Sequence, residues 1–84
     1  MLICKVTGSV ISTRKNEKLT GSRFLIVEPT DDTKSRFIAV DNIGAGVGET
    51  VLVVQGGGAR IACGGNDIPV DAAVVGIVDE GTQV

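Results

Sequence analysis

Three glycines at alternate positions, between two apolar runs, constrain this chain more than any other feature. Gly44, Gly46 and Gly48 follow the apolar run 39–43 and precede the β-branched run 50–54. A dinucleotide-binding fingerprint needs a third glycine three residues after the second, but Glu49 stands there and no helix-forming segment follows. The pattern predicts strand, tight turn, strand, with positive φ at the glycines. It favours a barrel corner or a crowded subunit contact, where Gly46→Val should impair folding or assembly.

Small aliphatic side chains have to form the core. Of the 84 residues, 43% are hydrophobic but only 2% are aromatic. A domain of this size buries about 60 to 65% of its unfolded surface, so it is marginally stable alone. Two cysteines and no histidine leave no disulfide framework and no imidazole ligands. We therefore expect no metal or cofactor, and we expect self-association to supply the missing stability.

The charge and the chain start limit the possible partners. A formal net charge of −2 disfavours a broad surface for nucleic acid or anionic membranes. Lys5 interrupts the apolar start, so we expect no signal peptide, and no apolar run approaches the length of a membrane span. The sequence predicts a cytosolic protein with Cys4 buried and reduced and with Cys63 reduced and accessible.

Five segments have the pattern of β-strands. They lie at 2–10, 19–27, 35–40, 50–55 and 68–79. Gly8 interrupts the first strand at a position where a barrel strand would need to bend or bulge. Pro29 ends the second strand. Glycine clusters at 56–58 and 64–65 bracket a short helix. We predict an all-β domain over residues 1–84, a small five-stranded OB-like β-barrel with one short helix between strands four and five, followed by a short tail at 80–84.

Three functional alternatives arise from the residues. Arg14, Lys15 and Lys18 could bind an anion, although a solvated hairpin tip is favoured. Arg60 fits a subunit contact or a pore about as well as it fits an ordinary surface position. An OB-fold oligonucleotide-binding protein is the alternative function, but stacking platforms are scarce because Phe24 and Phe37 are the only aromatic residues. No catalytic residues are evident, so the chain is not expected to be an enzyme.

Four segments together resemble the EutN/CcmL family of bacterial microcompartment vertex proteins. They are the start 1–10, the run 19–27, the block 39–49 with its Val-Asp-Asn-Ile-Gly-Ala-Gly core, and the close 69–79 with Pro-Val-Asp-Ala-Ala-Val-Val-Gly-Ile-Val-Asp. The resemblance covers nearly the whole chain. The family's Gly-Ser-Ser-Ala-Arg segment reads here as Gly-Gly-Gly-Ala-Arg at 56–60, so hydroxyl-mediated contacts are missing from that loop while Arg60 is retained.

The resemblance implies a structural protein of carboxysome-like shells. Its members form homopentamers that cap the vertices of a polyhedral shell, in the bacterial cytoplasm, beside hexameric shell proteins. Nucleic acid and membranes are not expected as partners. The candidate subunit interface or pore consists of seven residues: Asp41, Gly44, Gly46, Gly48, Gly57, Gly58 and Arg60.

Overall fold

The computed structural model describes residues 1–12, 15–31 and 35–79. Five strands and one α-helix follow one another: β1 (Leu2–Val10), β2 (Arg23–Pro29), β3 (Phe37–Asp41), β4 (Thr50–Gln55), α1 (Gly57–Ala62) and β5 (Ala72–Val78). The first and fourth strands have the predicted bounds. The second starts at Arg23 instead of residue 19, because Glu17–Leu19 forms a 3-10 turn and Gly21 then takes a positive φ of 84°.

The five strands close into a barrel in the order β1, β2, β3, β5, β4. All neighbouring strands are antiparallel except β3 and β5, which run parallel. The predicted five-stranded OB-like barrel, with its helix between β4 and β5, is confirmed. No described helix combines the length and the apolar character needed to cross a membrane.

The tight turn predicted between β3 and β4 is wrong. A tight turn joins strands that pair with each other, but β5 lies between β3 and β4 in the barrel. Residues 42–49 therefore connect two strands that are not neighbours, and we call this connection the glycine loop. Strands were correctly predicted on both sides of it, with β3 ending at Asp41 and β4 beginning at Thr50.

The barrel interior is filled by alternate residues of every strand, as the period of two predicts. The core cluster consists of Cys4, Val6, Leu25, Val27, Ala39, Ala45, Val51, Val53, Ala72 and Val74. The bulge predicted at Gly8 is confirmed, because the pairing of β1 with β2 shifts between Val6 and Gly8. This shift lets one long strand follow the curvature of the barrel.

The two cysteines lie in different surroundings. Cys4 is fully buried in the core, as predicted. Cys63 follows α1 and is partly buried, and this burial raises the pKa of its thiol above the ordinary value. The Cys63 thiol is thus less ionised near neutral pH than a free cysteine would be.

Candidate subunit interface

Asp41 organises the start of the glycine loop. Its side chain is fully buried at the end of β3. Its carboxylate oxygens accept hydrogen bonds from the backbone N–H groups of Ile43, Gly44 and Ala45 at 2.8 to 3.2 Å. The guanidinium of Arg23 lies 3.5 Å from Oδ2 of the same carboxylate. A buried carboxylate requires such donors, so Asp41 holds the loop from inside the subunit.

The positive φ angles predicted for the loop glycines occur at two of the three positions. Gly44 has a φ of 106° and Gly48 a φ of 94°, which are unfavourable for residues with a Cβ. Gly46 does not have a positive φ, so the strain argument for this glycine is wrong. A Cβ at Gly46 would instead lie 3.3 Å from Oε1 of Glu49, and that oxygen accepts a hydrogen bond from the Gly46 N–H at 2.6 Å.

The second half of the glycine loop is bound to β1 through backbone hydrogen bonds. The Gly48 N–H donates to the Val6 carbonyl at 2.8 Å, and the Val6 N–H donates to the Glu49 carbonyl at 2.9 Å. The Glu49 N–H also donates to the Gly46 carbonyl at 3.1 Å, which closes a turn with Gly48 at its third position. A positive φ at this third position is characteristic of a type II turn. The loop backbone is therefore fixed to the barrel.

Two apolar side chains lie on the outside of this fixed loop. Ile43 is 49% exposed and Val47 is 64% exposed. Aliphatic groups on a well-anchored backbone lose little conformational entropy when a partner covers them. The glycine loop thus has the properties of a contact surface, with Asp41 and the backbone as its internal support.

Helix α1 packs on β4 through residues without bulky side chains. A Cβ at Gly58 would lie only 2.8 Å from Cγ2 of Val54, so a glycine is needed for this close approach. Ala59, within α1, is fully buried. A Cβ at Gly57 would lie 3.5 Å from Nη2 of Arg60, which places the guanidinium of Arg60 over the first turn. The exposed surface of α1 also includes Ile61, which is 69% exposed.

The seven predicted residues form two groups within one subunit. Asp41, Gly44, Gly46 and Gly48 lie before β4, and Gly57, Gly58 and Arg60 lie after it. Gly48 and Gly57 lie at opposite ends of β4, whose six residues span about 17 Å at 3.4 Å per residue. The register through β5 instead places Asp41 level with Val53, in the half of β4 that leads into α1.

The basic residues of the β1–β2 connection have partners in the described part of the chain. The Lys18 Nζ donates to Oδ2 of Asp67 at 2.8 Å, and this hydrogen bond lowers the pKa of the Asp67 carboxyl. The Lys15 Nζ lies 5.8 Å from the centre of the Phe24 ring. Arg14 falls outside the described residues. Lys18 is therefore already paired with a carboxylate, which weakens the interpretation of these residues as an anion site.

The internal role of Asp41 and the partner of Lys18 were missed by sequence reasoning. An aspartate followed closely by a glycine can accept hydrogen bonds from its own downstream backbone, so a signal for Asp41 was present. The Lys18–Asp67 pair joins residues 49 positions apart. No local pattern could have identified that contact.

Comparisons with known proteins agree over nearly the whole chain. The family model described as "Ethanolamine utilisation protein EutN/carboxysome" matches residues 1–79. The shell vertex protein PduN of Salmonella typhimurium (strain LT2) is 42% identical over 87 residues, covering 94% of this chain and 96% of PduN. The shell vertex protein GrpN of Rhodospirillum rubrum (strain F11) is 46% identical over 83 residues, covering 94% of this chain and 93% of GrpN.

Solved structures extend this similarity to the fold. An ethanolamine utilization protein, EutN, superposes with a TM-score of 0.90 at 40% identity, covering 99% of this chain and 91% of the other. The structure of GrpN from Rhodospirillum rubrum, described as a pentameric microcompartment shell protein, superposes with a TM-score of 0.84 at 42% identity and covers 100% of both chains. The barrel, the glycine loop and α1 therefore fall within the shared fold.

Proposed function

This chain belongs to the EutN/CcmL family, and from that premise we propose that five copies of it form a ring that closes a vertex of a microcompartment shell. The observation that carries the proposal is the match, over the full length of the barrel, to shell vertex proteins including a pentameric one. Like its relatives, the chain is a structural shell protein and not an enzyme. Its location is the shell, inside the bacterial cytoplasm.

A ring of five suits this role for a geometric reason. A flat layer of six-fold units cannot close on itself, and five-fold units introduce the necessary curvature. Identical subunits close into a ring when each one uses two different surfaces to contact its neighbours. We infer that the outer edge of this ring contacts hexameric shell proteins.

The two groups of predicted residues receive separate roles in the proposed ring. Ile43 and Val47, on the glycine loop, are proposed to contact a neighbouring subunit, while Asp41 holds that loop from within. Gly57, Gly58 and Arg60 are proposed to lie at a second contact or at the pore along the ring axis. Gly57 has no side chain on this turn of α1, which allows a neighbouring copy to approach the Arg60 guanidinium.

Oligonucleotide binding, the alternative function, is disfavoured by the surroundings of the two aromatic rings. Phe37 packs against the core, and Phe24 lies under the amine of Lys15. Phe24 lines a cleft with Lys15 and Arg23, but a single ring offers at most one stacking platform. We expect neither nucleic acid nor membranes to be partners. A titration of labelled single-stranded DNA at low salt should show no saturable binding, whereas micromolar binding that weakens steeply with salt would support the alternative.

The vertex role is tested by producing hexameric shell proteins with and without this chain and imaging the products by electron microscopy. With the chain present, we expect closed polyhedral shells. Without it, we expect open tubes or sheets, or shells with gaps at their vertices. Equally complete shells in both preparations, with the chain absent from purified particles, would contradict the proposal.

A further inference from the structure

A cleft of about 250 Å³ lies where β1 ends and β2 begins, and we call it the β1–β2 cleft. Val10 pairs with Phe24 across the two strands, so the barrel itself supports the cleft. Its chemistry is determined by six of the residues that line it: Ser9, Val10, Lys15, Ser22, Arg23 and Phe24.

The β1–β2 cleft is basic, although the chain as a whole is acidic. Lys15 and Arg23 both line it, and no acidic residue of the described part of the chain does. The whole chain has eight basic and ten acidic residues, so the sign of the charge in the cleft is opposite to that of the chain. Two cations without a lining carboxylate attract an anion.

The ammonium group of Lys15 is held in place without a carboxylate partner. Its Nζ donates to the Ser12 carbonyl at 3.2 Å and lies 5.8 Å from the centre of the Phe24 ring. Within residues 1–12, 15–31 and 35–79, Lys15 forms no ion pair. An ammonium group has three N–H donors, so donors remain for a ligand. A cation that is already positioned loses little conformational entropy when it binds one.

Arg23 supplies a second cation, and Asp41 orients its guanidinium. Nη1 of Arg23 lies 3.5 Å from Oδ2 of Asp41, whose side chain is fully buried, whereas the side chain of Arg23 is 53% exposed. The Asp41 carboxylate also accepts three backbone N–H groups of the glycine loop. A guanidinium has five N–H donors in a planar fork, so its exposed nitrogens can bind two oxygens of one ligand.

Two hydroxyl groups complete the set of donors. Ser9 and Ser22 line the same cleft, and neither side chain makes a hydrogen bond to another described residue. A hydroxyl group can rotate to donate to an anion. Ammonium, guanidinium and hydroxyl donors around one small cleft fit an oxyanion with several oxygens.

We propose that the β1–β2 cleft binds a phosphate dianion, either free or as the terminal group of a small phosphorylated molecule. Phosphate is favoured over a carboxylate because four donor groups surround the cleft and a carboxylate has only two oxygens. The cleft is smaller than the about 300 to 1,000 Å³ typical of sites for drug-sized ligands, which limits the occupant to a small one.

This site differs from the basic cluster of the sequence prediction and is independent of the proposed ring. Lys18 belonged to that cluster, but its amine is bound by Asp67 and it does not line the cleft. Arg23 is the second cation instead. Each subunit carries all the described donors itself, so the cleft is complete in a single chain.

Isothermal titration calorimetry of the full chain with sodium phosphate tests the site, in a chloride buffer near pH 8 where phosphate is largely the dianion. We expect one phosphate per subunit, with a Kd of about 1 mM or lower. Lys15→Met should weaken binding about tenfold, because a charge-assisted hydrogen bond is lost. Ser22→Ala removes a neutral donor and should weaken binding about threefold.

Lys18→Met is the matched control for Lys15→Met. It removes the same charge from the same connection, but outside the cleft, so binding should change by less than about twofold. Far-UV circular dichroism should show that each variant is folded like the parent. Absence of saturable binding to the parent would overturn the inference. Equal weakening by Lys15→Met and Lys18→Met would also overturn it, because attraction would then depend on net charge alone.

Phenyl phosphate distinguishes the two sources of the phosphate group. Tighter binding of phenyl phosphate than of inorganic phosphate, with the difference lost in Phe24→Leu, would identify a phosphate ester as the ligand, since its ring would then pack on Phe24. Equal affinities would identify the phosphate group alone as the ligand. None of these measurements depends on the number of subunits, so failure of this site and failure of the proposed ring are distinguishable.

Discussion

Asp41→Ala is expected to lower the free energy of unfolding by about 3 to 5 kcal/mol, which for a domain of this size removes most of its stability. The substitution takes away the acceptor for three backbone N–H groups, including the buried N–H of Ala45. Each unsatisfied buried donor carries a desolvation cost of about 1 to 3 kcal/mol. The measurement is urea unfolding followed by far-UV circular dichroism.

Two further variants separate the loss of the acceptor from the loss of charge. Asp41→Asn keeps one carbonyl oxygen, so it should lie between the parent and Asp41→Ala. Asp67→Ala removes an exposed carboxylate that pairs with Lys18, and it should remain close to parental stability. Equal midpoints for Asp41→Ala and Asp67→Ala would show that the buried carboxylate does not hold the glycine loop.

Gly48→Val is expected to lower the stability of each subunit by about 2 to 3 kcal/mol. A β-branched residue is strained at the Gly48 φ of 94°, and relaxing that strain would disturb the hydrogen bond from the Gly48 N–H to the Val6 carbonyl. In a ring, the loss is repeated in every subunit. Thermal unfolding of the variant and the parent at equal subunit concentration measures the effect.

Gly46→Val is the matched comparison within the same loop. Gly46 has no positive φ, and its added side chain would meet the flexible carboxylate of Glu49, so we expect less than half the loss seen for Gly48→Val. The sequence alone pointed to Gly46 as the sensitive position. A larger loss for Gly46→Val than for Gly48→Val would show that packing around Glu49, and not backbone strain, dominates the loop.

The strands could be predicted because their signal is local. Alternation of apolar residues placed β1, and a β-branched run placed β4, at their observed bounds, and Gly8 marked the bulge in β1. The entry of β5 between β3 and β4 could not be read in this way. That arrangement depends on pairs such as Val40 with Ala73, which are distant in sequence, so a connection between non-neighbours was interpreted as a tight turn.

The candidate site was predicted only in outline for a related reason. The glycine pattern identified the loop, but a spacing of two residues does not reveal which glycine has a positive φ. Asp41 was predicted as a site residue together with the glycines of the loop. Its burial could not be predicted, because it depends on how the end of the barrel closes around the side chain.

The mass of the assembled protein under native conditions tests the central claim most directly. Native mass spectrometry of the full chain, at micromolar subunit concentration and near-physiological ionic strength, should give one dominant species with five times the subunit mass. Collisional activation should release single subunits from that species and leave four-subunit remnants. A dominant monomer, or a closed assembly with another number of subunits, would contradict the ring of five and the vertex role that depends on it.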